Sequence, residues 1–413
     1  MTKFTFLHAA DLHLGSPFLG LSLKDEELAR RLTLASRDVF TALVDAAIAE
    51  QVAFMVIAGD IYDGEWKDAS IGLFFNRQLA RLERAGIRVI LLKGNHDAES
   101  VVTKAVALPA SVREFSTRAA KTIRLDDLRV ALHGRSFPER AVGENYVRGY
   151  PAAVPGWFNI GVLHTSCSGY AAHASYAPCT LQDLATRGYQ YWALGHVHAY
   201  EVLCTDPYVV YPGNIQGRSI RETGAKGAVL VDVEDGIASE PRRLIVDKAR
   251  WALARIDLTG LADQDDAWRR IEEGLKAAAA QARERLLIAR VELTGETALR
   301  RGLLADPQRL RDEVQAAADR CHDDVVIERV VSRLREPRAK GAAGEALLLD
   351  PISLIAGLEH DPAVRAQARE LLALIVGKLP ADVGEELALA DDLDVLMEEA
   401  ASLVLGRLTA KEP

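Results

Sequence analysis

Cysteine is scarce. Four occur in 413 residues, Cys167, Cys179, Cys204 and Cys321, with no C-x-x-C spacing, so neither a disulfide framework nor a thiolate zinc site is indicated. The longest apolar runs, residues 52–58 and 371–376, fall far short of the roughly 20 residues that span a bilayer. Lys3, His8 and Asp11 interrupt the opening stretch before a signal-like apolar core accumulates, so the chain reads as cytoplasmic, reduced and free of membrane segments. No Gly-x-x-x-x-Gly-Lys-Ser/Thr run is present, which excludes ATP binding through a P-loop. No internal repeat is found. An excess of positive charge is also missing, since the net charge is −9. Fourteen acidic and five basic residues lie between positions 344 and 413 and carry that whole excess, so the rest of the chain is balanced and free to meet an anionic substrate.

What is present fits a globular chain of two or three domains: 49% hydrophobic and 26% charged residues over a length that, at roughly 150 residues per domain, can bury a sizeable core. Up to about residue 235, β-rich apolar runs (4–9, 53–58, 88–92, 129–132, 160–164, 191–194, 208–211 and 228–233) alternate with stretches of helical periodicity at 24–50 and 71–85. The fold class is therefore layered α/β. After Asp247 a compact β-α-β-α-β alternation follows (251–258, 265–282, 286–293, 306–320, 325–334), rich in arginine at Arg269, Arg270, Arg283, Arg285, Arg290, Arg300 and Arg301. The expected domains are 1–247, a small α+β cap at 248–337, and a linker with an acidic helical tail at 338–413. In that tail Asp361-Pro362 is a helix start, and a last amphipathic helix is expected over 391–405.

Nearly every strand of the first domain runs into a polar cluster: Asp11-Leu12-His13, Gly59-Asp60-Ile61-Tyr62-Asp63, Gly94-Asn95-His96-Asp97, His164, and Gly195-His196-Val197-His198. Singly, each is compatible with turn chemistry. Together, five clusters of carboxylate, amide oxygen and imidazole at strand carboxyl ends, where ligand sites of α/β sheets lie, indicate divalent metal of the Mn, Fe or Zn kind. Seven or more donors are too many for one ion, so two are expected, the arrangement that clamps a phosphoryl group and lowers the pKa of a bound water.

In this order and with these glycine flanks, the clusters resemble the calcineurin-like metallophosphoesterases. The opening Phe6 to Gly15 and the later Tyr211 to Arg218 are similar to the SbcD and YhaO branch of DNA repair exonucleases. The resemblance implies a metallophosphoesterase sandwich in which Asp11, His13 and His198 hold one ion, Asn95, His164 and His196 hold a second, and Asp60 bridges them. It assigns His96 to the substrate side as transition-state stabiliser and acid, with Asp97 orienting it. Some relatives carry histidine where this chain has Asp63, a departure that leaves the role of position 63 open. The implied activity is a Mn-dependent 3′-to-5′ DNA exonuclease with single-strand endonuclease activity. The implied partners are DNA, a coiled-coil ATPase of the SbcC or YhaN kind, and a second copy of the chain.

His8, inside the first strand, reads as core or as a support for the ligands, and His133 as structural. His173, His322 and His360 read as surface. Asn214, Gln216 and Arg218 are candidate contacts to the nucleic-acid backbone, as amide and arginine side chains often are. Two competing functions remain: a metallophosphatase for a small phosphoester or cyclic nucleotide, and a non-catalytic scaffold. The filled ligand positions disfavour the scaffold, and the arginine-bearing module favours a polymer.

Overall fold

A computed structural model of the chain describes residues 2–16, 26–63, 69–99, 108–167, 176–321, 324–337 and 361–376, with scattered positions beyond. It divides into two compact units, the larger reaching Ala249 and the smaller made of Ser219–Thr223 and the chain from Arg250 onward.

The larger unit opens with an alternation of β1 (Lys3–Ala9), α1 (Glu26–Ala49), β2 (Phe54–Ala58), α2 (Ala69–Arg84), β3 (Arg88–Leu92) and the short α3 (Asn95–Glu99). It continues through β4 (Val112–Glu114), β5 (Lys121–Leu125), β6 (Val130–Gly134), β7 (Phe158–His164), α4 (Leu181–Ala185), β8 (Tyr191–Gly195), β9 (Glu201–Thr205) and β10 (Tyr208–Tyr211). It closes with β11 (Gly227–Glu234), β12 (Ile237–Ala238) and β13 (Arg242–Ile245). One sheet of the described residues runs β12-β11-β1-β2-β3-β4 with β13 beside β11, and a second runs β5-β6-β7-β8-β10-β9. Neighbours from β1 to β4 are parallel, as are β6, β7, β8 and β10.

Side-chain alternation explains why these strands are mostly apolar on both faces. Phe4 and Phe6 of β1, and Phe54, Val56 and Ala58 of β2, join Phe158, Ile160 and Tyr191 of the second sheet in a core between the sheets. Leu7, Ala9, Met55 and Ile57 point the other way, into a core with Val39, Phe40 and Leu43 of α1 and Phe75 and Leu79 of α2. Burial on both faces leaves few polar positions along the strands, His8, His133 and Asn159 among them, and gathers most polar residues at their ends. Each fully buried Phe or Leu contributes about 1.5–3 kcal/mol, so the strand ends rest on a stiff base. The apolar pattern of the sequence does not anticipate β4, β5, β9, β12 and β13. Those at Val112–Glu114, Lys121–Leu125 and Glu201–Thr205 flank or edge their sheets and are largely half-buried or exposed, so they lack a hydrophobic period.

In the smaller unit β14 (Ala249–Asp257), α5 (Gln264–Ala282), β15 (Leu286–Glu296), α6 (Arg300–Leu304), α7 (Pro307–Asp319) and β16 (Val325–Arg335) follow the expected alternation around a three-stranded sheet, β14-β15-β16. Asp263 caps α5 through the amides of Asp265 and Asp266, and Asp306 caps α7. Most of the module's arginines have acidic neighbours in the same unit. Exposed pairs join Arg269 to Asp266 and Arg301 to Glu336, whereas the Arg290–Glu328 pair is mostly buried. Further along, α8 (Pro362–Val376) begins where Asp361-Pro362 indicated, with Asp361 Oδ1 accepting from the amides of Ala363 (2.7 Å) and Val364 (3.3 Å). Of the helix expected over 391–405, positions 393, 394, 396, 397, 400, 401 and 404 are helical, and the others lie outside the described residues.

Candidate metal centre

The loops after β1 and β2 run side by side. The amides of Asp11, His13 and Leu14 donate to the carbonyls of Gly59, Asp60 and Ile61 at 3.0, 3.0 and 2.9 Å. That pairing brings the Asp11 and Asp60 carboxylates together at the carboxyl edge of the first sheet. In the second sheet His164 pairs in register with Gly195, so His164, His196 and His198 arrive at the matching edge. Two glycines allow the close approach: a Cβ at Gly94 would fall on the Asp60 carboxylate, and one at Gly59 on the His164 ring. Asp11, His13, Asp60 and His196 all have positive φ (50°, 43°, 51° and 95°), a conformation uncommon outside glycine and concentrated here at one site.

The donor atoms converge in three groups, each with its atoms within 4.8 Å of one another: Asp11, His13 and His198; Asp60, His164 and His196; and His13, Asp60 and His96. His13 Nε2 faces His198 Nε2 at 3.2 Å. His164 Nε2 lies 2.8 Å from Asn95 Oδ1 and 3.3 Å from Asp60 Oδ2. Its Nδ1 is 2.9 Å from the Ala58 carbonyl, which holds a proton on Nδ1 and turns Nε2 toward Asn95 and Asp60. Every ligand position expected from the sequence is thus in one cluster, and all but His196 and His198 are buried.

The electrostatics call for positive charge. Burial raises the Asp11 carboxyl, with the Asp60 charge adding to the effect against His164 and His198. Burial also opposes the charged form of His164, but Asp60 and Asp11 outweigh it and push the imidazole up to about 9. His13 is held down at about 3 by burial and by Arg218, which keeps its ring neutral and able to ligate. Two buried carboxylates, an amide oxygen and four imidazoles fit two divalent ions of the Mn, Fe or Zn kind.

Two expectations are corrected. Asp97 does not orient His96. Its carboxylate accepts from the amides of Ile61 (2.9 Å), Tyr62 (3.0 Å) and Gly94 (3.0 Å), tying the β2 and β3 loops together. The His96 partner is Asp63, whose Oδ1 lies 3.0 Å from His96 Nδ1, while its Oδ2 accepts from Arg218 Nη1 at 3.1 Å. Burial resists charge on His96, yet Asp60 and Asp63 raise it to about 9. Asn214 and Gln216 are not surface contacts. They are 0% and 3% exposed, and Gln216 is consumed by the Lys248 and Ala249 amides and the Ala249 carbonyl. The Arg218 side chain reaches the rim of the centre through Asp63.

Two further side chains support the site without any motif that announces them. Lys226, nearly buried, donates from Nζ to the His198 carbonyl at 2.7 Å, and the Tyr176 ring lies 4.6 Å from that of His196. His8 is held by Tyr191 Oη (3.0 Å) and the Leu194 carbonyl (3.1 Å) behind the centre. His133 is tied to Thr122 and Asn159, as its structural reading requires. His173, His322 and His360 lie outside the described residues.

The fold and this donor set define a metallophosphoesterase, and comparison with known proteins agrees. The profile described as calcineurin-like phosphoesterase matches residues 4–200, and that described as "Metallophosphoesterase YhaO, middle domain" matches 251–335. The chain belongs to the calcineurin-like metallophosphoesterases. Within them it is of the SbcD/YhaO type. It is 36% identical over 277 residues to "Uncharacterized metallophosphoesterase YhaO" of Bacillus subtilis, covering 66% of this chain and 68% of that one. It is 25% identical over 416 residues to "DNA double-strand break repair protein Mre11" of Methanopyrus kandleri, covering 92% and 80%. A shorter match, 28% over 98 residues, joins it to the SbcD component of the nuclease SbcCD of Escherichia coli, covering 24% of this chain and 22% of that protein. Membership implies a metal-dependent hydrolase. No helix among the described residues is long and apolar enough to cross a membrane.

Proposed function

We propose that the protein is a two-metal DNA phosphodiesterase, a 3′-to-5′ exonuclease with single-strand endonuclease activity that serves DNA repair in the cytoplasm. The observation that carries the chemistry is the convergence of seven donors from the carboxyl ends of two sheets, with His96 held at their edge by a residue outside the donor set. Support for a nucleic-acid substrate comes from the similarity to the Mre11 repair protein and the SbcCD nuclease, and from the match of the second unit to the YhaO middle domain.

In this reading Asp11, His13 and His198 would hold one ion, Asn95, His164 and His196 the other, and Asp60 would serve both sets. Once bound, the ions, manganese in this proposal, would supply charge against the phosphate oxygens and a water of lowered pKa. The chain does the rest. Asp63 engages His96 Nδ1, which leaves Nε2 to give a proton to the departing sugar oxygen. Arg218 steadies Asp63 and adds a guanidinium to the rim, where it can pair with a phosphate oxygen. Asp97 keeps the Asp60 and Asn95 loops in mutual register. The partners proposed are a coiled-coil ATPase of the SbcC or YhaN kind, through the tail, and a second copy of the chain.

The deciding experiment compares linear duplex, single-stranded DNA and a generic phosphodiester side by side with added Mn2+. DNA cleavage that is lost in the His96→Ala variant supports the reading. Turnover of the small ester with both DNA substrates untouched would replace it with the small-phosphoester enzyme.

A further inference from the structure

Two of the four cysteines meet behind the centre. Cys167 and Cys179 are partners in an isolated parallel β-bridge and are 1% and 4% exposed. Residues directly opposite in a bridge project to the same face, and neighbouring strands lie about 4.8 Å apart, inside the Cα separation of roughly 4.4–6.8 Å that a disulfide spans. The backbone around them is held on several sides: the Cys167 amide donates to Tyr211 Oη (3.1 Å), Tyr211 Oη to the Thr165 carbonyl (2.8 Å), and Thr165 Oγ1 to the Ala177 carbonyl (2.7 Å). Thr165 Oγ1 also lies 3.5 Å from Cys179 Sγ. The register is therefore fixed by groups other than the sulfurs.

We propose that Cys167 and Cys179 form a redox modification site, a dithiol that closes into an intramolecular disulfide when the protein meets a hydroperoxide. One sulfur attacks the peroxide, the O–O bond breaks, and a sulfenic acid and one water result. The second sulfur then displaces the hydroxyl, which leaves as a second water with the remaining thiol proton, and the S–S bond forms. Two thiols and one hydrogen peroxide thus give one disulfide and two waters. Contact with Cys167, together with burial, pushes the Cys179 thiol far above the usual range, so the pair rests reduced and reacts slowly. The ring closed by oxidation runs from 167 to 179 and contains Tyr176, whose side chain lies on His196. Oxidation and the metal centre therefore share one short segment.

The test treats the full-length protein with hydrogen peroxide until Cys204 and Cys321, which are partly exposed, no longer alkylate under denaturing conditions. Expected is a peptide linking Cys167 to Cys179, lighter by two hydrogens, abolished by dithiothreitol and absent from Cys179→Ser and Cys167→Ala alike. Free, alkylatable Cys167 and Cys179 at that end point, or linkage of either to Cys204 or Cys321 instead, overturns the proposal.

Discussion

Asp63 Oδ1 lies 3.0 Å from His96 Nδ1, and the same carboxylate is held from its other oxygen by Arg218. A carboxylate in this place sets which ring nitrogen of His96 faces outward. Asp63→Asn should retain two equivalents of metal and lose turnover by about 10²-fold, the low end for disturbing a general acid, and His96→Ala about 10²–10⁴-fold. Metal analysis beside steady-state kinetics checks both. Loss of an ion from the His96 variant would make that histidine a ligand, as its grouping with His13 and Asp60 permits.

Asp60 Oδ2 lies 3.3 Å from His164 Nε2 and 4.0 Å from His13 Nε2, one histidine from each proposed ligand set. Asp60→Asn should therefore lower occupancy of both ions together, whereas His164→Ala should chiefly weaken one. Metal content per chain is the measurement, and two full equivalents in the Asp60 variant would remove it as the bridge.

Gly94 has no room for a methyl group beside the Asp60 carboxylate and amide. Gly94→Ala should cost about 1–3 kcal/mol, the scale of overpacking, and should lower metal content along with stability. Denaturant unfolding and metal analysis of one preparation test this. Unchanged values in both would mean that the β3 loop yields more easily than its three amide contacts to Asp97 suggest.

Much of the site is legible in the sequence, for a physical reason. Strands buried on both faces spell themselves out as apolar runs, and the polar clusters at Asp11, Asp60, Asn95, His164 and His196 mark where those runs end. What sequence does not supply is pairing across loops. Asp63 and Asp97 are both acids within a few residues of a glycine, and only the backbone path shows that the first reaches His96 and the second the amides of Ile61, Tyr62 and Gly94. Lys226 and Tyr176 carry no periodic or motif signal at all. Gln216 sits in a motif-like stretch, yet the start of β14 takes up its amide.

His8 is buried and neutral, held at about 3 by desolvation against the help of the Leu194 carbonyl. The unfolded chain protonates this residue near pH 6.5, so between about 6.5 and 3 the unfolded state binds the extra proton and stability falls as pH falls. The slope from this one group approaches 1.4 kcal/mol per pH unit. His8→Gln should flatten the fall in unfolding free energy between pH 6.5 and 5 by about that amount. Parallel curves for the two proteins would show that His8 takes up its proton without leaving the fold.

Exposed ion pairs are worth roughly 0–1 kcal/mol, so Arg269 and Arg301 can exchange their acids for phosphates at little cost, while Arg290 stays with Glu328. If the second unit guides DNA, Arg269→Gln and Arg301→Gln should each reduce the slope of log affinity against log salt by about 0.9. Arg290→Gln should instead lower stability with little change in slope. Equal slopes for all three variants would assign the unit a purely structural role.

Four residues of the centre, Asp11, His13, Asp60 and His196, hold a left-handed backbone that glycine would adopt with less strain. Selection for folding alone would let these positions drift toward glycine or asparagine, and only selection for ligation opposes that drift. The identity of the residue at each left-handed corner is therefore a historical record. A descendant that abandoned metal while keeping its fold should reveal the loss at these corners first, before any change reaches the apolar strands beneath them.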